Sequence, residues 1–229
     1  MQQDGPHAVV TGASSGIGAA VVRRLLDDGW RVTGLSRTAP DVGSARFEHR
    51  SIDLLTANAD TIRAAVAGVP ATALVHAAGV LRVGELGALD HEAGAAMWRL
   101  HVDAAALLAD ALVPSMPAGG RIVLIGSRTA AGSAGRSQYA ASKAALLGLA
   151  RSWASELITR GITVNVIAPG ATETPMLRDP ARAGVTPRLP PSGRFVQPDE
   201  VAALAAFLLS DAARSITGQK IVVCGGASL

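Results

Sequence analysis

The sequence predicts an α/β fold in which helices cover both faces of a mostly parallel, seven-stranded sheet. Short apolar runs alternate with longer helical patterns along the chain, and no low-complexity linker separates them. The composition is 49% hydrophobic and 17% charged over 229 residues, which is typical of a compact folded chain. From the length of the chain we expect one domain over residues 1–229. Because only 3% of the residues are aromatic, its core should consist of small and aliphatic side chains.

Apolar periodicity in the first half of the chain predicts alternating strands and helices. Strands are expected over residues 8–11, 31–35 and 72–76, with a further short strand ending near Ile52. Helices are expected over residues 16–28, 60–67 and 91–112. The last of these is long because Met97, Leu100 and Leu108 follow a helical spacing that suits a buried face.

The second half continues the same alternation until proline interrupts it. Strands are expected over residues 121–126, 163–168 and 221–223, and helices over 137–160 and 201–209, the latter after Pro198 in a first turn. Five prolines and four arginines fall between these elements in residues 172–195. A loop of this length inside a compact domain is usually functional, so we expect a lid over the substrate.

Bulk charge and cysteine content exclude several classes of function. The net charge is +3 with scattered arginines, which argues against a nucleic-acid partner. The single cysteine, Cys224, cannot form an internal disulfide, and the five histidines lack the spacing of a metal site. No uncharged apolar stretch approaches the ~20 residues of a membrane span, so we expect a cytoplasmic protein without a membrane partner.

Two local features point to chemistry. Gly12, Gly16 and Gly18 follow the first strand and open a helix, an arrangement that lets backbone amides and the helix dipole approach a pyrophosphate. The only tyrosine, Tyr139, stands four residues before Lys143, one of two lysines, so a helix places both on one face. A phenol has an ordinary pKa near ~10 and needs a nearby cation to act as a base at neutral pH.

Four segments carry recognisable motifs in order along the chain. They read TGASSGIG at residues 11–18, YAASK at 139–143, NVIAPG at 165–170 and ITGQ at 216–219. Together they resemble, over nearly the whole chain, the short-chain dehydrogenase/reductase family. The resemblance implies a Rossmann-like, doubly wound fold that transfers hydride between a nicotinamide dinucleotide and a carbonyl or alcohol, for example a ketone or a 3-oxoacyl group. It also implies a homodimer or homotetramer.

The resemblance assigns many residues to the cofactor. They are Gly12, Ser14, Ser15, Gly16, Ile17, Gly18, Ser36, Arg37, Asp53, Leu54, Ala77, Ala78, Gly79, Tyr139, Lys143, Pro169, Gly170, Thr172 and Thr174. Ser36 stands where NAD-preferring relatives tend to carry Asp, and Arg37 can pair with a 2′-phosphate. NADP(H) is therefore the expected cofactor, with NAD(H) an alternative if Arg37 is only a solvated surface residue. Asp53 has a competing interpretation as a loop or capping aspartate.

The resemblance also implies catalytic roles for Tyr139, Lys143 and Ser127, with His101 in the place of an asparagine that supports a proton relay. His101 could preserve that relay, make it pH-dependent, or be a helix histidine bonded to backbone. Ser127 could instead be a turn serine. Two rival functions stay open, an NAD-linked alcohol dehydrogenase of the same fold and a non-catalytic dinucleotide-binding regulator. The lid arginines, which we interpret as solvated rather than substrate-binding, are Arg178, Arg182, Arg188 and Arg194.

Overall fold

A computed structural model describes residues 5–179 and 187–229. Its sheet has seven strands in the order β3-β2-β1-β4-β5-β6-β7, and every described pairing of neighbouring strands is parallel. The strands are β1 (His7–Thr11), β2 (Arg31–Ser36), β3 (Phe47–Ser51), β4 (Ala73–His76), β5 (Arg121–Ile125), β6 (Thr163–Pro169) and β7 (Lys220–Val223). The expected fold class is therefore confirmed, with strand bounds that differ from expectation by a few residues.

Helices cover both faces of the sheet. They are α1 (Gly16–Asp27), α2 (Ala59–Val66), α3 (His91–Trp98), α4 (Ala104–Leu112), α5 (Ser137–Leu157) and α6 (Pro198–Leu209). One buried cluster joins α2, α4 and α5 to the sheet, and a second joins α1 and α6 to the opposite face. Successive β1 residues alternate between the two clusters, Val9 in the first and Ala8 and Val10 in the second, because side chains alternate across a strand.

Strand order places a crevice at one edge of the sheet. The chain runs outward from β1 to β3 and then returns to start β4 on the other side of β1. The connections after β1 and after β4 therefore leave the carboxyl edge in opposite directions and open a cleft between them. The residues assigned to the cofactor and to catalysis mostly follow the carboxyl ends of these strands.

The expected helical region over residues 91–112 is confirmed, with a π turn inside it. Arg99–Asp103 form a π turn between α3 and α4, and the backbone N–H of Ala104 bonds to the carbonyl of Arg99, five residues back. The carbonyl of Leu100 instead accepts a hydrogen bond from the His76 side chain on β4. A π turn inserts one extra residue into an α-helix. Apolar spacing did not reveal it, because the helical segments before and after the insertion both have a buried face.

The expected lid lies partly within the described residues. Residues 172–179 contain a short 3₁₀ turn, Pro175–Arg178, and Thr172 pairs with Val196 at the base of the segment. Residues 180–186, which include Arg182, lie outside the described residues. Within 5–179 and 187–229, no helix is both long and apolar enough to cross a bilayer.

Candidate active site

The glycine-rich turn packs closely against the turn that follows β4. A Cβ on Gly12, whose φ is +65°, would lie 3.0 Å from the Ala78 Cα, and a Cβ on Gly18 would lie 2.2 Å from the Gly12 carbonyl oxygen. The Thr11 hydroxyl oxygen accepts the backbone N–H groups of Ala77 and Ala78, both at 3.0 Å. Only glycine at residues 12 and 18 allows this approach of backbone to backbone.

The start of α1 is suited to an anionic group. The Ser15 side chain makes no capping hydrogen bond, and the first turn carries no acidic residue. The first backbone N–H groups of a helix lack partners within the helix, and the dipole adds positive potential there. The residues present therefore fit a dinucleotide pyrophosphate, which the open glycine turn would admit to backbone contact.

A cavity of about 1070 Å³ opens beside this turn along the carboxyl edge of the sheet. The predicted site residues that line it are Gly12, Ser15, Gly16, Ile17, Ala77, Ala78, Gly79, Ser127, Tyr139, Lys143, Pro169, Gly170, Thr172 and Thr174. Those that do not line it are Ser14, Gly18, Ser36, Arg37, Asp53, Leu54 and His101. Residues from four strand ends and from α5 are thus brought together in one cleft.

Tyr139 and Lys143 lie one turn apart on α5, and both are buried, with 7% and 6% of their surface exposed. The Lys143 ammonium donates a 2.8 Å hydrogen bond to the carbonyl of Ile125 at the end of β5. Burial lowers the pKa of Lys143 to about 7. Ser127 follows β5, and its hydroxyl oxygen accepts the N–H of Thr129 at 3.1 Å, so it is both a turn serine and a cavity residue.

His101 lies in the π turn behind the pair rather than in the cavity. The Ser142 hydroxyl donates to the carbonyl of Tyr139 at 2.9 Å, so it accepts a hydrogen bond from His101 Nδ1–H at 2.9 Å. His101 Nε2 then accepts the N–H of Val80 at 3.1 Å. Burial, with the nearby charge of Lys143, lowers the pKa of His101 well below its ordinary value. A lowered pKa favours the neutral imidazole, and the role of His101 stays a prediction.

His76 connects the glycine turn to the π turn. The Thr11 hydroxyl donates to His76 Nδ1 at 3.0 Å, and His76 Nε2–H donates to the carbonyl of Leu100 at 3.0 Å. The side chain is fully buried, and burial lowers its pKa to about 3. The sequence analysis gave His76 no role, because its partner at Leu100 depends on the π turn.

The far end of the cofactor site lies at the tips of β2 and β3. The Ser36 hydroxyl donates to the carbonyl of Thr38 at 2.8 Å, and the His49 side chain bonds the carbonyl of Ser36 at 3.0 Å. These bonds hold the turn from which Arg37 projects, exposed and without an ion pair in the described part of the chain. A guanidinium so placed is available to a 2′-phosphate.

The remaining cofactor candidates differ in environment. Asp53 accepts the N–H of Leu55 at 3.0 Å and so closes its own loop turn, while Leu54 is buried in the core. The Thr172 hydroxyl donates to the carbonyl of Gly170 at 3.1 Å. Thr174 lies over the glycine turn, since a Cβ on Gly16 would lie 3.2 Å from its methyl carbon.

Several cavity residues were missed by the sequence analysis. Leu81 and Met176 pack beside Tyr139 and form an apolar wall. Arg128 and Arg136 also line the cavity. The two arginines had a usable signal, because one directly follows Ser127 and the other stands one helical turn before Tyr139. Leu81 and Met176 had none, since only the packing of distant loops brings them together.

Known proteins similar to this chain include reductases and dehydrogenases, in agreement with a dinucleotide site beside Tyr139 and Lys143. A family model described as enoyl-(acyl carrier protein) reductase matches residues 12–228. The chain is 36% identical to the 3-oxoacyl-(acyl-carrier-protein) reductase FabG of Salmonella typhimurium, over 99% of this chain and 98% of that protein. A blue fluorescent protein from a metagenomic library, solved in complex with NADPH, has a TM-score of 0.88 at 33% identity with full coverage of both chains. A short chain dehydrogenase family protein from Francisella tularensis has a TM-score of 0.87 at 26% identity, with 97% and 98% coverage.

Proposed function

The chain belongs to the short-chain dehydrogenase/reductase family, and we propose that it is an NADP(H)-dependent oxidoreductase that reduces a ketone or 3-oxoacyl carbonyl to the alcohol. The observation that carries the proposal is the burial of Tyr139 and Lys143 on one face of α5, in the same cavity as the open glycine turn. Similarity to a 3-oxoacyl reductase supports the 3-oxoacyl class of substrate.

The choice of NADP(H) has two supports. A structural neighbour was solved in complex with NADPH, and this chain carries an exposed guanidinium, Arg37, at the tip of β2 where the adenosine ribose is expected. When bound, NADPH would supply a hydride from its nicotinamide ring. The residues proposed to hold it are those of the two turns after β1 and β4, together with Ser36, Arg37, Asp53 and the segment 169–174.

Three side chains act on the substrate in this mechanism. Ser127 donates a hydrogen bond to the carbonyl oxygen and fixes its position beside the Tyr139 phenol. Tyr139 gives its proton to that oxygen, so that the C=O becomes CH–OH with the hydride that bound NADPH would supply to the carbonyl carbon. The Lys143 ammonium stabilises the resulting phenolate, and protons from solvent restore the phenol.

His101 is proposed as a positioning residue for this pair. Its ring stands edge-on to Tyr139, with centroids 5.6 Å apart, and its bond to Ser142 fixes the turn of α5 that carries both residues. A Cβ on Gly79 would lie 3.2 Å from His101 Nε2 and 3.5 Å from the Lys143 ammonium. His101 therefore lies close behind Lys143, where a relay of protons toward solvent would pass.

Three further features complete the proposal. Residues 172–195 form a lid whose described part includes Met176, Leu177 and Leu189 in the cavity wall.

The chain assembles into a homodimer or homotetramer through its long helices, as the family resemblance implies. Trp98 and Ile158 remain 45% and 51% exposed near the ends of α3 and α5. The working compartment is the cytoplasm, where NADPH and reduced thiols are available.

An absorbance assay with carbonyl compounds, run with NADPH and NADH side by side, tests the function. We expect NADPH consumption that depends on substrate, and a lower rate with NADH. Preferential use of NAD⁺ with alcohols would favour the NAD-linked dehydrogenase. Tight NADPH binding without turnover on any substrate would favour the non-catalytic regulator.

A further inference from the structure

The substrate side of the cavity is cationic. Arg128, Arg136 and Arg188 line it in addition to Lys143, and no described lining residue is an aspartate or glutamate. Leu229, the last residue, also lines the rim, but it is fully exposed and pairs with no arginine in the described ion pairs. A cleft whose charged side chains are all cationic concentrates anions, because low-dielectric walls focus the field.

Arg128 is held in the wall by a specific contact. It follows Ser127 and opens a 3₁₀ turn, Arg128–Ala131, so its backbone is fixed to the end of β5. Its side chain is half-buried, and one terminal nitrogen donates to the carbonyl of Ala227 at 2.9 Å. Arginine has five N–H donors, and the described residues supply no carboxylate partner for this one. The guanidinium is therefore ordered and still able to bind an anion.

Arg136 lines the same cavity from the start of α5. It directly precedes the helix, and its carbonyl accepts the N–H of Ala140 at 2.8 Å, so it stands one turn before Tyr139. Like Arg128, it is half-buried and lines the cavity. The two arginines are thus attached next to the two hydroxyl groups proposed to hold the carbonyl oxygen.

These positions do not match the needs of the cofactor or of a carrier arm. The pyrophosphate has its own site at the glycine turn, and the 2′-phosphate has Arg37, which lies outside this cavity. The phosphate of a carrier's pantetheine arm is many bonds from the acyl carbonyl, whereas Arg128 adjoins Ser127 in sequence. Leu81 and Met176 pack with Tyr139 and form an apolar surface for a carbon skeleton.

We propose that the substrate carries a carboxylate or phosphate within a few bonds of the carbonyl, and that Arg128 and Arg136 bind this anion. The inference rests on the proposed carbonyl reduction and narrows its substrate to oxo acids or phosphorylated ketones. For Arg188 it also revises the interpretation of the lid arginines as solvated, because Arg188 lines the same cavity. Arg178 and Arg194 instead pair with Glu173 and Glu200.

Matched substrates test the proposal. Acetoacetate is compared with methyl acetoacetate, and dihydroxyacetone phosphate with dihydroxyacetone, by NADPH consumption. We expect the wild type to prefer at least one anion over its neutral partner. The variants Arg128→Ala and Arg136→Ala should each lower kcat/KM for that anion about 10- to 100-fold, the usual effect of a lost charged hydrogen bond. Their kcat/KM for the neutral compound should fall far less than that for the anion, and their Kd for NADPH should stay near that of the wild type.

A matched control and a second measurement keep the result clear. Arg63→Ala, on the exposed face of α2, removes an arginine outside the cavity and should change nothing. Binding of acetoacetate or dihydroxyacetone phosphate to the NADP⁺ complex is measured by thermal shift in the wild type and in the Arg128→Ala/Arg136→Ala double variant. Anion binding that the double variant loses supports the proposal even without turnover. The proposal would be overturned if the wild type used neutral and anionic substrates equally, if the variants lost kcat/KM equally for both, or if the wild type bound no anion. Reduction of neutral ketones alone would overturn the anion site and leave the proposed carbonyl reduction intact.

Discussion

The proposed cofactor half of the cleft, around the glycine turn, and the proposed substrate half, around Tyr139, are built in different ways. The cofactor half consists of backbone, with Gly12 and Gly18 packed against each other and Thr11 holding the turn after β4. The substrate half consists of side chains from separate segments, among them Leu81, Met176 and Arg128. The structure of the first half is thus determined mainly by short local motifs, whereas that of the second depends on long-range packing.

This difference explains why the cofactor can be inferred more closely than the substrate. Backbone amides at a helix start bind any dinucleotide pyrophosphate, so the glycine turn serves a whole family. Side chains in the opposite wall can change without disturbing that turn, and they set which carbonyl compound fits. Changes in one half should therefore leave the other half working.

The largest effect is expected from Tyr139→Phe on the substrate half. Removal of the phenolic proton donor should lower kcat by about 10²- to 10⁴-fold, because the chain has no other tyrosine to replace it. The Kd for NADPH, measured by fluorescence titration, should stay near that of the wild type. Turnover within tenfold of wild type would show that Tyr139 is not the proton donor.

Gly18→Ala should damage the cofactor half. The new Cβ would lie 2.2 Å from the Gly12 carbonyl oxygen, which is backbone and cannot rotate away. We expect the Kd for NADPH to rise about 100-fold or more and the melting temperature to fall. Gly148→Ala on α5 is the matched control, because nothing lies within 4 Å of a Cβ there, so NADPH affinity should not change. Normal NADPH affinity in Gly18→Ala would contradict the role of the close turn.

Arg37→Ala tests the side-chain contribution within the cofactor half. Loss of a charged hydrogen bond to the 2′-phosphate should raise the Kd for NADPH about 10- to 100-fold and leave the Kd for NADH unchanged. Arg31→Ala, at the opposite end of β2, should affect neither dinucleotide. If NADPH affinity is unchanged in Arg37→Ala, the arginine is a solvated surface residue.

His76→Asn tests the junction between the halves and should have the smallest effect. The pKa of His76 is about 3 in the folded chain and near 6.5 when exposed, so between these values only the unfolded chain takes up the proton. Acid therefore favours unfolding, and the wild type should lose about 1 kcal/mol of stability through this group between pH 7 and pH 5.5.

The measurement is urea unfolding at both pH values. The loss of stability between pH 7 and pH 5.5 should be smaller in His76→Asn than in the wild type, whatever the variant's absolute stability. His91→Asn, at the exposed start of α3, is the control and should behave like the wild type. An identical pH dependence in His76→Asn would mean that this histidine is not held neutral.

Sequence reasoning succeeded where function depends on local spacing. Tyr139 and Lys143 are four residues apart on a helix, so they share a face in almost any fold that keeps α5. The alternating pattern also predicted the parallel sheet and nearly every element, and the family expectation is confirmed over residues 12–228. The assignment of individual cofactor and catalytic residues stays a prediction.

Spacing in the sequence did not reveal the contacts between residues that are distant in sequence. The π turn at Arg99–Asp103 inserts one residue without changing the apolar pattern, and its freed carbonyl meets His76, 24 residues away from Leu100. For His101 the sequence left a pH-dependent relay open beside a structural role, whereas burial, with the nearby charges of Lys143 and His76, lowers its pKa well below the ordinary value. A charge state depends on what surrounds a side chain, and the motif alone does not show those surroundings.

The sequence by itself determined the class of this protein: a parallel α/β sheet, a glycine turn for a dinucleotide, and a tyrosine and lysine on one helical face. These follow from spacing within short segments, where covalent geometry and helical periodicity dictate which groups meet. Only the tertiary structure decided that His76 and His101 connect the glycine turn, the π turn and α5, and that Arg128 and Arg136 line the cavity. Those contacts depend on how separate strands and loops pack, because burial and the close approach of distant charges arise only when the chain has folded.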